Sequence, residues 1–170
     1  MLTARSFVTV KPARIVDALS IAEVFRLSWL NTYTAIIPQF HLEYMVKRRG
    51  VAWWRSAIRS RDTVNVLKFD GRIVGYATCG SSRDSSTYEG AIYEIYLLPE
   101  YQGAGLGELL FEACRHRLDE RRLRSMVVWC LADNTRAMEF YERRGGVCIA
   151  SSYEMLGGTQ LEKIALAWED

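Results

Sequence analysis

Leu97-Leu98-Pro99-Glu100-Tyr101-Gln102-Gly103-Ala104-Gly105-Leu106-Gly107 is the stretch on which the fold turns. An apolar strand, Ala91 to Leu98, runs into a proline and then into a turn spaced by Gly103, Gly105 and Gly107. That turn opens directly into an amphipathic helix, Glu108 to Glu120. The glycines strip the loop of side chains, so successive backbone N–H groups can converge on one point. The start of the helix adds its own unpaired N–H groups and the positive end of its dipole. Together they make a seat for a phosphate or a diphosphate.

Three glycine-loop patterns compete for this segment. A nucleotide-binding Walker A loop ends in Gly-Lys-Ser/Thr. Here Gly107 is followed by Glu108-Leu109, so that pattern fails. A dinucleotide fingerprint needs GxGxxG after a first strand, but the sixth position from Gly103 is Glu108 and the strand lies mid-chain. The third pattern, Gln/Arg-x-x-Gly-x-Gly/Ala after a strand ending in x-x-Pro, fits at Gln102, Gly105 and Gly107. An ordinary glycine-rich strand–helix connection is the plain alternative. On these residues the chain resembles the GCN5-related N-acetyltransferase (GNAT) family, which seats the diphosphate of acetyl-CoA in this loop.

A second segment carries the same resemblance. After the strand Met126–Leu131 comes Asn134-x-x-Ala137-x-x-Phe140-Tyr141-x-x-x-Gly145. Asp133 or Asn134 suits a helix N-cap, and Gly145 suits the position just past its end. Ala137, Phe140 and Tyr141 share one helical face by their i, i+3, i+4 spacing, and a core aromatic is the plain reading of Tyr141. In the family the Asn helps position the pantetheine arm and the Tyr hydroxyl points at the departing sulfur.

The resemblance implies acetyl transfer from acetyl-CoA, as co-substrate and without a metal, to a primary amine of a small molecule or a protein by direct attack. Tyr96, Leu97 and Leu98 would offer backbone groups to the thioester and pantetheine. Gln102, Gly103, Ala104, Gly105, Leu106 and Gly107 would hold the diphosphate, with Asn134, Ala137 and Tyr141 completing the cofactor site. Tyr141 would give a proton or hydrogen bond to the leaving sulfur. The upstream Glu of the family's histone-modifying branch falls on Ala91, so that base is missing. Glu94 is the nearest replacement, and Glu89 another. In a regular strand Glu94 projects to the face opposite Ala91; it is either the base or a structural carboxylate, and bulk solvent can also take the proton. Trp29, Tyr33, Trp53 and Trp54, with Tyr93 and Tyr153, are candidates for an aromatic acceptor pocket that would hold an ammonium by cation–π contact. Core packing is the alternative for each.

The rest of the chain supplies the frame. Strands are expected over Ser6–Lys11, Thr63–Phe69, Arg72–Cys79, Glu89–Leu98, Ser125–Leu131, Gly146–Tyr153 and Gln160–Trp168. Asp17 should cap a helix carrying Ile21, Val24, Phe25 and Trp29. A bend over Asn31–Gln39, a short helix at His41–Lys47 and another at Val51–Arg61 follow. The order β-α-α-β-β-β-α-β-α-β-β suits an α/β (α+β) fold: a mixed, mostly antiparallel sheet of six to seven strands, about four flanking helices and a splayed central pair. Residues 1–170 read as a single N-acetyltransferase domain. With 49% hydrophobic and 25% charged residues and a net charge of +2, nothing points to nucleic acid. Lys47-Arg48-Arg49 sits where a helix should end, where dipole and solvation account for it. No apolar run is long enough for a membrane span, and no secretion signal is seen. Cys79, Cys114, Cys130 and Cys148 lack metal or disulfide spacing and read as buried reduced thiols of a cytoplasmic protein. Exposed hairpin edges could support a homodimer. A non-catalytic acyl-CoA-binding or regulatory module with the same fold is the alternative to the enzyme; a dinucleotide enzyme is disfavoured by the GxGxxG mismatch.

Overall fold

The computed structural model describes residues 6–84 and 87–169. Strand β1 (Val8–Pro12) leads through a short 3-10 turn (Ile15–Asp17) into α1 (Ala18–Tyr33), α2 (Gln39–Arg48) and α3 (Val51–Arg59). Then come β2 (Thr63–Phe69), β3 (Arg72–Ser81), β4 (Gly90–Leu97), α4 (Leu106–Glu120), β5 (Met126–Leu131), α5 (Thr135–Arg143), β6 (Val147–Leu156) and β7 (Thr159–Trp168). Five helices flank the sheet; the short helix expected at His41–Lys47 runs over Gln39–Arg48 and stays distinct from α3, as its break at Gly50 implies. Asp17 does not cap α1 with its side chain; its carboxylate reaches back to the Arg14 N–H at 2.8 Å. The bend expected from Asn31 starts later, since α1 runs on to Tyr33.

The strands form one sheet in the order β1-β2-β3-β4-β5-β7-β6. Every pairing is antiparallel except β4 with β5. The turns follow from sequence: Asp70-Gly71 and Gly157-Gly158 all have positive φ, as two-residue hairpins require. Gly75 and Tyr76 are successive in β3 and so point to opposite faces. A Cβ on Gly75 would meet Leu110 of α4, whereas Tyr76 lies 4.8 Å from the Trp54 ring of α3. One face therefore carries α1–α3 and the other α4 and α5, and the core fills both layers with Phe25, Trp54, Tyr76, Leu110 and Phe111, all fully buried.

Two irregularities of β4 position the site. Its pairing with β5 stops at Ile92↔Val128, while it continues along β3 as far as Gly75↔Leu97. The central strands thus splay from Tyr93 onward. The β3–β4 register also slips between Thr78↔Glu94 and Cys79↔Ile92, which makes Tyr93 the extra residue of a β-bulge. The bulge cancels the regular alternation, so Glu94 and Ala91 lie on the same face, that of α1–α3. Ala91 packs with Val127 and Trp129 there, and Glu94 meets Arg49. The expectation of opposite faces fails for that reason.

The thiols are less uniform than expected. Cys79 and Cys114 are buried, Cys130 is half-buried and Cys148 is exposed, because it lies on the edge strand β6. Burial pushes the Cys130 thiol up to about 11. Iodoacetamide at neutral pH should therefore alkylate Cys148 first and Cys130 slowly, as read by peptide mass spectrometry; earlier labelling of Cys79 would contradict this burial order. Among the described residues no helix is long and apolar enough to cross a membrane, and no group of three or more His, Cys, Asp or Glu is placed to hold a metal ion.

Candidate functional site

The splay opens a cleft of about 630 Å³ between the end of β4, the glycine turn and α5. The turn is built as its glycines demand. Gly103 and Gly105 have φ of 77° and 79°, and Gly105 stands at the N-cap of α4. Helix α4 consequently begins at Leu106, two residues before the expected Glu108. No side chain caps it, so the first-turn N–H groups are left to the cleft. A Cβ on Gly105 would meet nothing within 4 Å, and one on Gly103 only the Arg136 guanidinium at 3.7 Å. Gly107 differs: its Cβ would come within 3.0 Å of the Phe140 ring, so this glycine lets α4 approach α5. Main-chain amides with no side chain over them, at the positive end of a helix, are the chemistry that attracts a phosphate or diphosphate.

The N–H of Leu98 bonds the Val74 carbonyl on β3 at 2.8 Å. Backbone groups alternate along a strand, so the Leu97 N–H faces the other way, into the splay. The Leu97 carbonyl accepts from Ser28 Oγ and Gln102 Nε2, each at 3.0 Å. Gln102 in turn accepts from Arg136 Nη1 at 2.5 Å, which ties the end of β4 to α5 across the turn.

Helix α5 carries the second half of the site. Asn134 Oδ1 caps it by accepting from the Ala137 N–H at 3.2 Å. At its other end Gly146 N–H bonds Tyr141 O, Gly145 N–H bonds Glu142 O, and Gly145 has φ 88°, a Schellman closure. Tyr141 is 5% exposed, packed against Phe140 and Trp168, and lines the cleft. Burial, foremost, pushes its phenol far above the ordinary tyrosine range, so it remains a hydrogen-bond donor. No described residue takes its hydroxyl hydrogen bond.

Of the residues expected at the cofactor site, Tyr96, Leu97, Gln102, Gly103, Gly105, Gly107, Asn134, Ala137 and Tyr141 line the cleft together. The side chains of Leu98 and Leu106 are buried in the core and Ala104 is exposed on the turn, so these three can meet the cleft only through their backbone. The aromatic acceptor candidates are not brought to the cleft either. Trp29 and Tyr33 pack as tilted rings, centroids 4.9 Å apart, behind β4, with the Tyr33 hydroxyl 2.7 Å from that of Tyr96. Tyr93 is tied to Asp62 and to the Ser81 carbonyl under the Arg83 guanidinium. Tyr153 stands 64% exposed on the outermost strand.

Glu94 also lies outside the cleft. Both its oxygens are held by Arg49, at 2.5 and 2.8 Å, with the two side chains 12% and 10% exposed. The guanidinium stacks on Trp53, Phe25 and Trp54 at 4.0, 4.4 and 4.9 Å. Removing one partner of such a pair typically costs about 3–5 kcal/mol. Arg49 is therefore not the solvated helix-end cation expected of Lys47-Arg48-Arg49. Reading the sequence also passed over Arg136, Arg143, Arg144 and Glu108, which line the cleft, with Arg144 lying 3.7 Å over the Phe140 ring. The only local signal for the three arginines is helical spacing from Phe140; Glu108 stands on α4 and carries none.

Residues 23–146 match the profile described as the Acetyltransferase (GNAT) family. The Uncharacterized N-acetyltransferase YuaI of Bacillus subtilis is 32% identical over 165 residues, covering 96% of this chain and 94% of YuaI. The fold superposes on PaiA N-acetyltransferase from Thermoplasma acidophilum, solved in complex with coenzyme A, with a TM-score of 0.76 at 16% identity over 95% of this chain and 99% of that one. YncA from Salmonella typhimurium, solved with acetyl-CoA, gives 0.71 at 21% identity over 95% and 93%.

Proposed function

The chain belongs to the acetyltransferase (GNAT) family, and from that premise we propose that residues 1–170 act as one N-acetyltransferase domain moving an acetyl group from acetyl-CoA to a primary amine of a small molecule or protein. The observation that carries this reading is the uncapped start of α4 behind two left-handed glycines, set in the same cleft as Tyr141 and the splayed end of β4. The donor, when bound, supplies the acetyl thioester.

The protein's own groups then have distinct tasks. The amides of Gly103 to Gly107 hold the diphosphate. The inward-facing N–H of Leu97 polarises a carbonyl placed in the splay. Asn134 and Ala137 wall the cleft between them, and the Tyr141 phenol donates toward the departing sulfur. The amine proton goes to solvent, since Glu94 is fully engaged by Arg49. Direct transfer in a ternary complex is favoured over a cysteinyl intermediate, because none of Cys79, Cys114, Cys130 and Cys148 is among the residues that line the cleft.

An amine panel with acetyl-CoA tests the reading. Free coenzyme A should be released above the hydrolysis background with at least one amine, and mass spectrometry should find that amine acetylated. Coenzyme A binding with no turnover on any amine would instead select the non-catalytic module.

A further inference from the structure

We propose that Arg49 is a positioning residue for acyl transfer: by gripping Glu94 it fixes the bulge at which β4 parts from β5, and so sets the opening of the coenzyme slot. This inference rests on the acetyl-CoA reading above. The coincidence in register motivates it. The last β4–β5 pair is Ile92↔Val128, the bulged residue is Tyr93, and the next residue is Glu94. A bulge bends its strand and raises the local twist, which is the deformation needed to turn β4 away from β5. It also forfeits ladder bonds, so it persists where side chains hold it.

Such anchors are present at the bulge and just past it. At the bulged residue, the Tyr93 hydroxyl is bonded to Asp62 and to the Ser81 carbonyl. Downstream, Glu94 receives both Nη groups of Arg49 in a planar fork. Arg49 cannot drift, because its guanidinium is packed on three rings and its N–H closes α2 on the Met45 carbonyl at 3.0 Å. The other titratable groups that feel Glu94 are Tyr76 from β3, Tyr33 from α1, Tyr96 from β4 and Tyr141 from α5, all phenols held neutral by burial. Arg49 is therefore the cation that compensates Glu94 among the described residues. The strand beyond this grip, Ile95 to Leu97, forms the wall of the cleft.

The role is tested by Arg49→Lys, Glu94→Gln and the double variant Arg49→Met/Glu94→Met. Thermal melts should be combined with calorimetric titration of coenzyme A and with kcat and KM. Arg49→Lys keeps the charge and loses the fork, and should weaken coenzyme A about tenfold in a folded protein, the loss of one charge-assisted hydrogen bond. The double variant should regain thermal stability while coenzyme A affinity stays low. Glu94→Gln should leave the shape of the pH–rate profile unchanged. Variants that melt earlier but bind coenzyme A like wild type would overturn the proposal. So would loss of the acid limb of the kcat/KM profile in Glu94→Gln, which would make Glu94 the base. Wild-type protein that fails to bind coenzyme A would instead remove the acetyl-CoA reading itself.

Discussion

Replacing Gly105 by glutamate should abolish coenzyme A binding in a protein that still folds. Gly105 has φ 79° and ψ 3°, so any L side chain there carries a left-handed strain of about 1–2 kcal/mol. That is small against the roughly 5–15 kcal/mol that holds a domain folded. A Cβ at this position meets nothing within 4 Å, so the new side chain extends freely into the cleft. Its carboxylate arrives beside the uncapped N–H groups of α4, where the helix dipole favours an anion. The variant thus supplies its own occupant for the seat and repels a second anion. At an effective dielectric near 20, two unit charges about 4 Å apart interact by about 4 kcal/mol, close to a thousandfold in affinity. Gly105→Ala carries the same backbone strain without the charge and should lose far less. Calorimetric titration of both variants, with melting curves as the control for folding, separates the two effects. A folded Gly105→Glu protein binding coenzyme A at wild-type strength would place the diphosphate elsewhere.

The elements readable from sequence are those set by local backbone rules. A left-handed Gly105, an Asn134 that caps α5 and a Gly145 that closes it each need only their near neighbours, and all three are where their spacing puts them. Hairpins at Asp70-Gly71 and Gly157-Gly158 follow for the same reason. What escaped is non-local. Gly107 reads as part of a bare loop, yet its role is set by Phe140 on another helix. Arg49 reads as a solvated helix-end cation until Glu94, 45 residues later in the chain, is folded against it. The face of Glu94 itself depends on a bulge, for which period-two alternation has no symbol. Trp29 and Tyr33 share a helical face at i, i+4 spacing, but only β4 lying under that face makes it core rather than pocket wall.

Tyr141→Phe should lower kcat about a hundredfold or more while leaving the acetyl-CoA KM nearly unchanged, the usual scale for removing a general acid. The substitution deletes one oxygen and keeps the ring, which sits 5.2 Å from Phe140 and 6.0 Å from Trp168. No described residue bonds that hydroxyl, so its loss orphans no partner and the melting temperature should hardly move. The pH dependence has a definite sign. An acid catalyst loses activity as pH rises through its pKa, and burial has moved this phenol well above the ordinary tyrosine value near 10. Wild-type kcat should therefore show no alkaline decline from Tyr141 up to that ordinary value. Thioesters with a more acidic leaving thiol need less help from a donor, so the gap between wild type and variant should narrow with them. If KM rises while kcat holds, the hydroxyl grips the donor before reaction. In that case the proton reaches the departing sulfur from water in the splay between β4 and β5.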